Sequence, residues 1–193
     1  MTLLLDELQR IHEASPADTK GAGDRRTPQN RTWWVVCARE RQHQALASKL
    51  SQWRIPFYLP LAPCTSDAAT LGHSYVPLFG NLLFAFGSEE ECRTVLATRM
   101  VSRILPVDDE DRLRQSLLDL HRLLDSGYAL TMESPLPAGT KVRVAGGELK
   151  GLQGVLIERS GNERLLVAID EIGQGVSISV DLLPKSCSSL ASL

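Results

Sequence analysis

The chain has 193 residues, of which 43% are hydrophobic and 23% charged, with a formal net charge of -2. That length holds one large or two small domains, and the composition is that of an ordinary folded chain. The near-neutral balance excludes the global basic field of an autonomous DNA binder, so any nucleic-acid contact has to be local or helped by a protein partner.

Residues 2–14 have the period of a short amphipathic helix, with Leu4, Leu5, Leu8 and Ile11 on one side. The run Leu3-Leu4-Leu5 is too short for a signal peptide and is followed by two acids. Residues 15–31 are polar and rich in Gly, Pro and charge, so 1–31 reads as a flexible leader. Order begins at WWVVCA (33–38), whose aromatic and β-branched residues predict a buried strand. Leu46, Leu50 and Trp53 then recur at helical spacing over 40–53. IPFYLPL (55–61) returns to extended chain because proline is excluded from a helix interior, and 62–73 reads as a loop.

VPLFGNLLFAFG (76–87) predicts a strand, and Ser88 with Glu91 predicts a capped helix after it. VSRILPV (101–107) predicts another strand. Residues 108–127 predict a helix with acids at its start, Leu113, Leu117, Leu120 and Leu124 as its stripe, and Gly127 as its stop. Residues 129–137 have the composition of a linker. Beyond it the period is two: KVRVAG, GVLIER, RLLVAID and VSISVD are short strands separated by Gly-containing turns, the pattern of a small β-barrel. Its core would rest on Val142, Val144, Val155, Ile157, Leu165, Val167, Ile169, Val176, Ile178 and Val180. The expected fold class is therefore an α+β domain over 32–128, an antiparallel sheet with flanking helices, followed by an all-β barrel over 138–185 and a tail at 186–193.

The motifs of enzyme chemistry are absent from the sequence. There is no GxxxxGK[ST] phosphate cradle and no GxSxG elbow. Gly173-Gln174-Gly175 lacks the strand–turn–helix setting of a dinucleotide fingerprint and reads as a hairpin turn. Cys37, Cys64, Cys92 and Cys187 form no CxxC pair and have no His at ligand spacing, so reduced thiols and no metal are expected. The acidic run 108–111 reads as a solvated helix start before it reads as a metal site. No apolar stretch reaches the roughly 18 residues of a membrane span. A cytoplasmic, monomeric, non-enzymatic protein without cofactors is the expectation.

Three segments carry a family resemblance. Trp33-Trp34-Val35-Val36 resembles a Trp-Tyr-Val-Val opening strand, and Val76–Phe84 resembles a Pro-Leu-Phe-Pro-Gly/Asn-Tyr-Leu-Phe strand. Lys141–Asp181, with Gly146, Gly151 and Gly154, resembles a KOW-type domain. In that order, these segments look like the NusG family of transcription elongation and antitermination factors, and Gly80 and Leu82 depart from the family's Pro and Tyr in the manner of a specialised, RfaH-like paralogue. The KOW segment implies an SH3-like barrel.

The resemblance implies an RNA polymerase contact on the clamp helices through Cys37, Pro77, Phe79, Leu82 and Phe84, with the plain alternative that these residues are core. It implies a weaker second polymerase contact at Glu91, Cys92 and Arg93. It implies contact with the non-template DNA strand through Arg39, Arg41, Arg99 and Arg103. In the KOW domain it implies a partner loop at Ile172, Gly173 and Gln174 for a ribosomal protein or Rho. The competing reading is a KOW-type RNA- or ribosome-binding protein.

Overall fold

The structure is a computed structural model and describes residues 31–63, 75–182 and 190–192. The helix expected over 2–14, almost all of the leader, Cys64 and Cys187 lie outside the described residues. The chain forms two compact units, divided between Glu110 and Asp111.

The first unit is built on a four-stranded antiparallel sheet in the order β2-β5-β1-β6. Its strands are β1 (Arg31–Ala38), β2 (Phe57–Tyr58), β5 (Leu82–Ser88) and β6 (Val101–Pro106). A separate hairpin pairs β3 (Leu61–Pro63) with β4 (Tyr75–Pro77). The single strand expected over 76–87 is thus two, because a turn carries Gly80 at φ +62° between them. Two helices follow the sequence: α1 (His43–Gln52) and α2 (Glu89–Ala97). Ser88 caps α2, its hydroxyl accepting from the Glu91 N–H while the Glu91 carboxylate accepts from the Ser88 N–H.

One face of this sheet is core. Trp34, Val36 and Ala38 of β1 pack with Leu83 and Ala85 of β5, Val101 of β6, Leu46 and Leu50 of α1 and Val95 of α2. The side chains between them, Trp33, Val35, Cys37, Leu82 and Phe84, point to the opposite face.

The second unit holds most of α3 (Glu110–Asp125) and a six-stranded sheet in the order β12-β8-β9-β10-β11-β7. The strands are β7 (Thr131–Glu133), β8 (Thr140–Val144), β9 (Gln153–Arg159), β10 (Asn162–Ile169), β11 (Gln174–Ser179) and β12 (Leu190–Ser192). The four strands read from the sequence are all present. Eight of the ten expected core residues are buried, and Val155 and Val180 are half-buried.

One expectation is corrected here. The sheet is not a closed barrel among the described residues: β12 lies along the outer edge of β8 and β7 along the outer edge of β11. Strand β7 lies within the stretch 129–137, and α3 falls almost wholly in the second unit.

A buried charge holds β7 in place. The Glu133 carboxylate is 1% exposed, accepts from the Ser177 hydroxyl at 2.7 Å, and is paired with Arg159. Arg164 stands 4.0 Å from the same carboxylate and donates to the Ser177 and Thr131 hydroxyls, each at 2.7 Å. Glu133→Ala strips the acceptor from two donors and the counter-charge from Arg164 in one step and should destabilise the protein by about 2 kcal/mol or more. Denaturant unfolding followed by circular dichroism measures this.

α3 is tied to the sheet of its own unit by polar contacts. Arg122 donates to the Lys150 carbonyl at 2.7 Å, Arg112 pairs with Asp170, and Asp119 accepts from the Gln153 N–H at 3.3 Å and the Gln115 amide at 3.0 Å. Burial pushes the Asp119 carboxyl above the usual carboxylate range, and the Gln115 and Gln153 hydrogen bonds, with the charges of Arg122 and Arg143, only partly oppose it. A carboxyl with a raised pKa in the folded state binds its proton more tightly there than in the unfolded chain. Its contribution to stability is full below the unfolded value of about 4 and is lost as pH rises through the raised folded value. Asp119→Asn should flatten that segment of the profile, measured as the denaturation midpoint against pH.

Candidate functional site

One end of the first sheet gathers half of the residues singled out in that unit. Strand β1 ends there, and β5 and β6 begin there. The last row across the strands is Leu82, Cys37 and Arg103, each opposite the next and so on one face. Cys37 is buried, Leu82 half-buried and Arg103 exposed.

The row exists because β6 is bulged. The register slips between Cys37, opposite Arg103, and Ala38, opposite Val101, leaving Ser102 as the additional residue. The Ser102 hydroxyl donates to the Cys37 carbonyl at 2.9 Å and closes the bulge. In an unbroken strand Val101 and Ile104, three apart, would face opposite ways. The inserted Ser102 lets both reach the core and turns Arg103 to the face of Leu82.

Two turns beside this row carry the other arginines. After β1, the Gln42 N–H donates to the Arg39 carbonyl at 3.0 Å and Arg41 sits at φ +60°. Before β6, Arg99 follows the last residue of α2's cap, also at φ +60°, where helices usually place glycine. The Arg39 N–H donates to the Met100 carbonyl at 2.7 Å, so the two turns touch. Arg39, Arg41, Arg99 and Arg103 are all exposed, and among the described residues none has an ion pair. Glu40 is the acid among them. Left-handed backbone is unfavourable for a residue with a Cβ, and strain of this kind concentrates where function holds it.

The remaining expected site residues separate. Phe84 is 0% exposed and Phe79 is buried, so the apolar rim expected at 82 and 84 reaches solvent at Leu82 and not at Phe84. Burial occurs because Phe84 lies one row further in, opposite Val35. Pro77 is half-buried at the end of β4, next to the exposed Tyr75 and Val76. Glu91 is occupied by the α2 cap and by Arg31 at 3.4 Å. Cys92 packs on the core, where burial and then Glu89 push its thiol pKa up against the opposing charge of Arg93. Arg93 is exposed and paired with Glu89 at 2.5 Å. These three neighbours therefore point to three different environments.

In the second unit, Ile172 ends a single 3-10 turn (Asp170–Ile172) and is half-buried, and Gly173 follows at φ +63°. Gln174 opens β11 opposite Ile169. Between α3 and the sheet of the same unit lies a cleft of about 210 Å³, lined among others by Arg112, Asp119, Lys141 and Asp170. Among the described residues, no group of three or more His, Cys, Asp or Glu is placed to hold a metal ion. Nor is any helix there long and apolar enough to cross a membrane.

Neither a family model nor a curated protein matches the sequence. Among solved structures, the chain is similar to one described as "Domain interaction in Thermotoga maritima NusG", with 16% identity and a TM-score of 0.45 over 82% of this chain and 96% of that one. A likeness of that degree does not place the chain in a family.

Arg99→Ala and Arg99→Gly remove the same guanidinium and differ in tolerance of positive φ. The glycine variant should be the more stable of the two by about 1 kcal/mol, read as the difference in unfolding free energy.

Proposed function

We propose that this protein is a NusG-like transcription elongation or antitermination factor that docks on RNA polymerase and has no catalytic site of its own. One observation carries the reading. A single end of the first sheet presents the half-buried Leu82, next to the buried Cys37, beside a cluster of exposed arginines that have no ion pair among the described residues. Apolar surface at a rim suits a protein partner, and guanidinium groups suit phosphates and base edges alike. A factor that sits on polymerase beside exposed DNA needs both, side by side.

The three sequence segments that resemble the NusG family support the same reading: Trp33–Val36 lies in this sheet, and Val76–Phe84 runs from the β3–β4 hairpin into it at Leu82–Phe84. In this proposal Leu82 is the solvent-reaching anchor for the clamp helices, while Phe84 and Phe79 support it from within. Arg39, Arg41 and Arg99 face the non-template strand. The turn at Ile172–Gln174 is free to serve a second protein, such as a ribosomal protein or Rho. Docking on one polymerase state in preference to another would shift its population away from pausing.

A pause assay with purified RNA polymerase tests the proposal. Wild-type protein should shorten pauses, and Leu82→Asp should abolish the effect while leaving the unfolding midpoint near its wild-type value. No effect of the wild-type protein on pausing overturns the proposal. RNA binding that survives Leu82→Asp and follows the lysines of the second unit would favour the RNA-binding reading instead.

A further inference from the structure

The four arginines do not form one group. Arg39, Arg41 and Arg99 lie in or beside the turns that join strands to helices, off the faces of the sheet. Arg103 lies within β6, on the sheet face, directly opposite Cys37 and in one row with Leu82. The bulge at Ser102 puts it there. If the pairing of Ala38 with Val101 ran on without that slip, Ser102 would fall opposite Cys37 and Arg103 opposite Val36, on the helix-covered side of the sheet.

We infer that Arg103 belongs to the protein-docking surface rather than to the nucleic-acid rim, and that it pairs with a carboxylate on the partner. This rests on the docking reading above. Leu82 offers an apolar contact over the buried Cys37, and the guanidinium at the other end of the row has no acidic partner among the described residues. Leu82 and Arg103 stand two strand spacings apart across β1, about 10 Å, so a partner helix of about that diameter seated on Leu82 and Cys37 also reaches Arg103. Covering an unpaired guanidinium is unfavourable, so a matching partner supplies an acid there. The occupant that fits is an apolar helix face bearing an Asp or Glu within one turn of its apolar contacts. Arg103 then acts as a specificity residue, because an apolar helix without that acid is penalised.

The full-length chain and core RNA polymerase free of nucleic acid make the test. Affinity is measured for wild type, Arg103→Ala, Arg39→Ala, Arg99→Ala and Leu82→Asp. Loss of a charge-assisted pair should weaken Arg103→Ala by about tenfold. Arg39→Ala and Arg99→Ala should stay within about twofold, since no nucleic acid is present. Arg103→Lys keeps the charge without the fork and should recover part of the loss. The inference is overturned if Arg103→Ala binds free polymerase like wild type while Leu82→Asp does not. If Leu82→Asp also binds like wild type, the docking proposal itself fails.

Discussion

Strand β1 lies between β5 and β6, and every residue from Trp33 to Ala38 is buried. A strand in that position has no free edge and no free face to slide on. Because side chains alternate with a period of two, a slip of one residue would exchange the core set Trp34, Val36 and Ala38 for Trp33, Val35 and Cys37. The two ladders of β1 therefore determine the composition of both faces of the sheet. The bulge in β6 is the one adjustment within this frame. It allows Val101 and Ile104 to share a face although they are three residues apart.

The second unit depends on a different kind of constraint. Its sheet has two outer edges that could meet or pair elsewhere, and each is lined by a short strand. At β11 that strand is three residues long, far too short to hold by its ladder alone. Glu133 makes up the difference, buried between Arg159, Arg164 and the Ser177 hydroxyl. A buried carboxylate is tolerable only when its oxygens are satisfied, and here both are. The charges thus specify where the chain enters the sheet, a question that apolar packing leaves open. Asp119 on α3 shows the contrasting case. One of its oxygens accepts two hydrogen bonds, while the other is buried without one.

These two constraints explain which parts of the fold were legible in the sequence. WWVVCA, the Ser88–Glu91 cap and the four period-two strands after residue 139 each announce themselves within a few residues, and each is in place. β7 does not, because its reason for existing is an ion pair with arginines 26 and 31 positions away, and apolar periodicity is blind to that. Leu149 and Leu152, absent from the expected core, lie in the turn between β8 and β9, where no strand period applies, and Leu166 was absent for a related reason. Alternation selects one face of a strand, whereas the adjacent Leu165 and Leu166 are both buried. At the candidate site, alternation placed Leu82 and Phe84 on one face but gave no information about where along that face cover begins. The structure draws that line between the two rows. The bulge was equally hidden: Val-Ser-Arg-Ile reads as an ordinary strand until Val101 and Ile104 are seen to share a core.

The site at the end of β1 combines groups whose strengths differ with hydration. Arginines in the flanking turns are exposed and suited to attract phosphates through long-range charge, an effect that salt screens within about 10 Å. Arg103 begins equally wet, but a surface seated on Leu82 would displace its water. A pair formed there is less screened and more demanding of geometry, and it is penalised if the acid is missing. Two arginines of the same chemistry can therefore serve different ends according to whether docking dries them. The determinant is the single residue of register introduced by Ser102, which moves a guanidinium from the core side of a strand to the rim of an apolar patch. Strained backbone at Arg41 and Arg99 has the same logic: where a turn would accept glycine at lower strain, the chain keeps a charge.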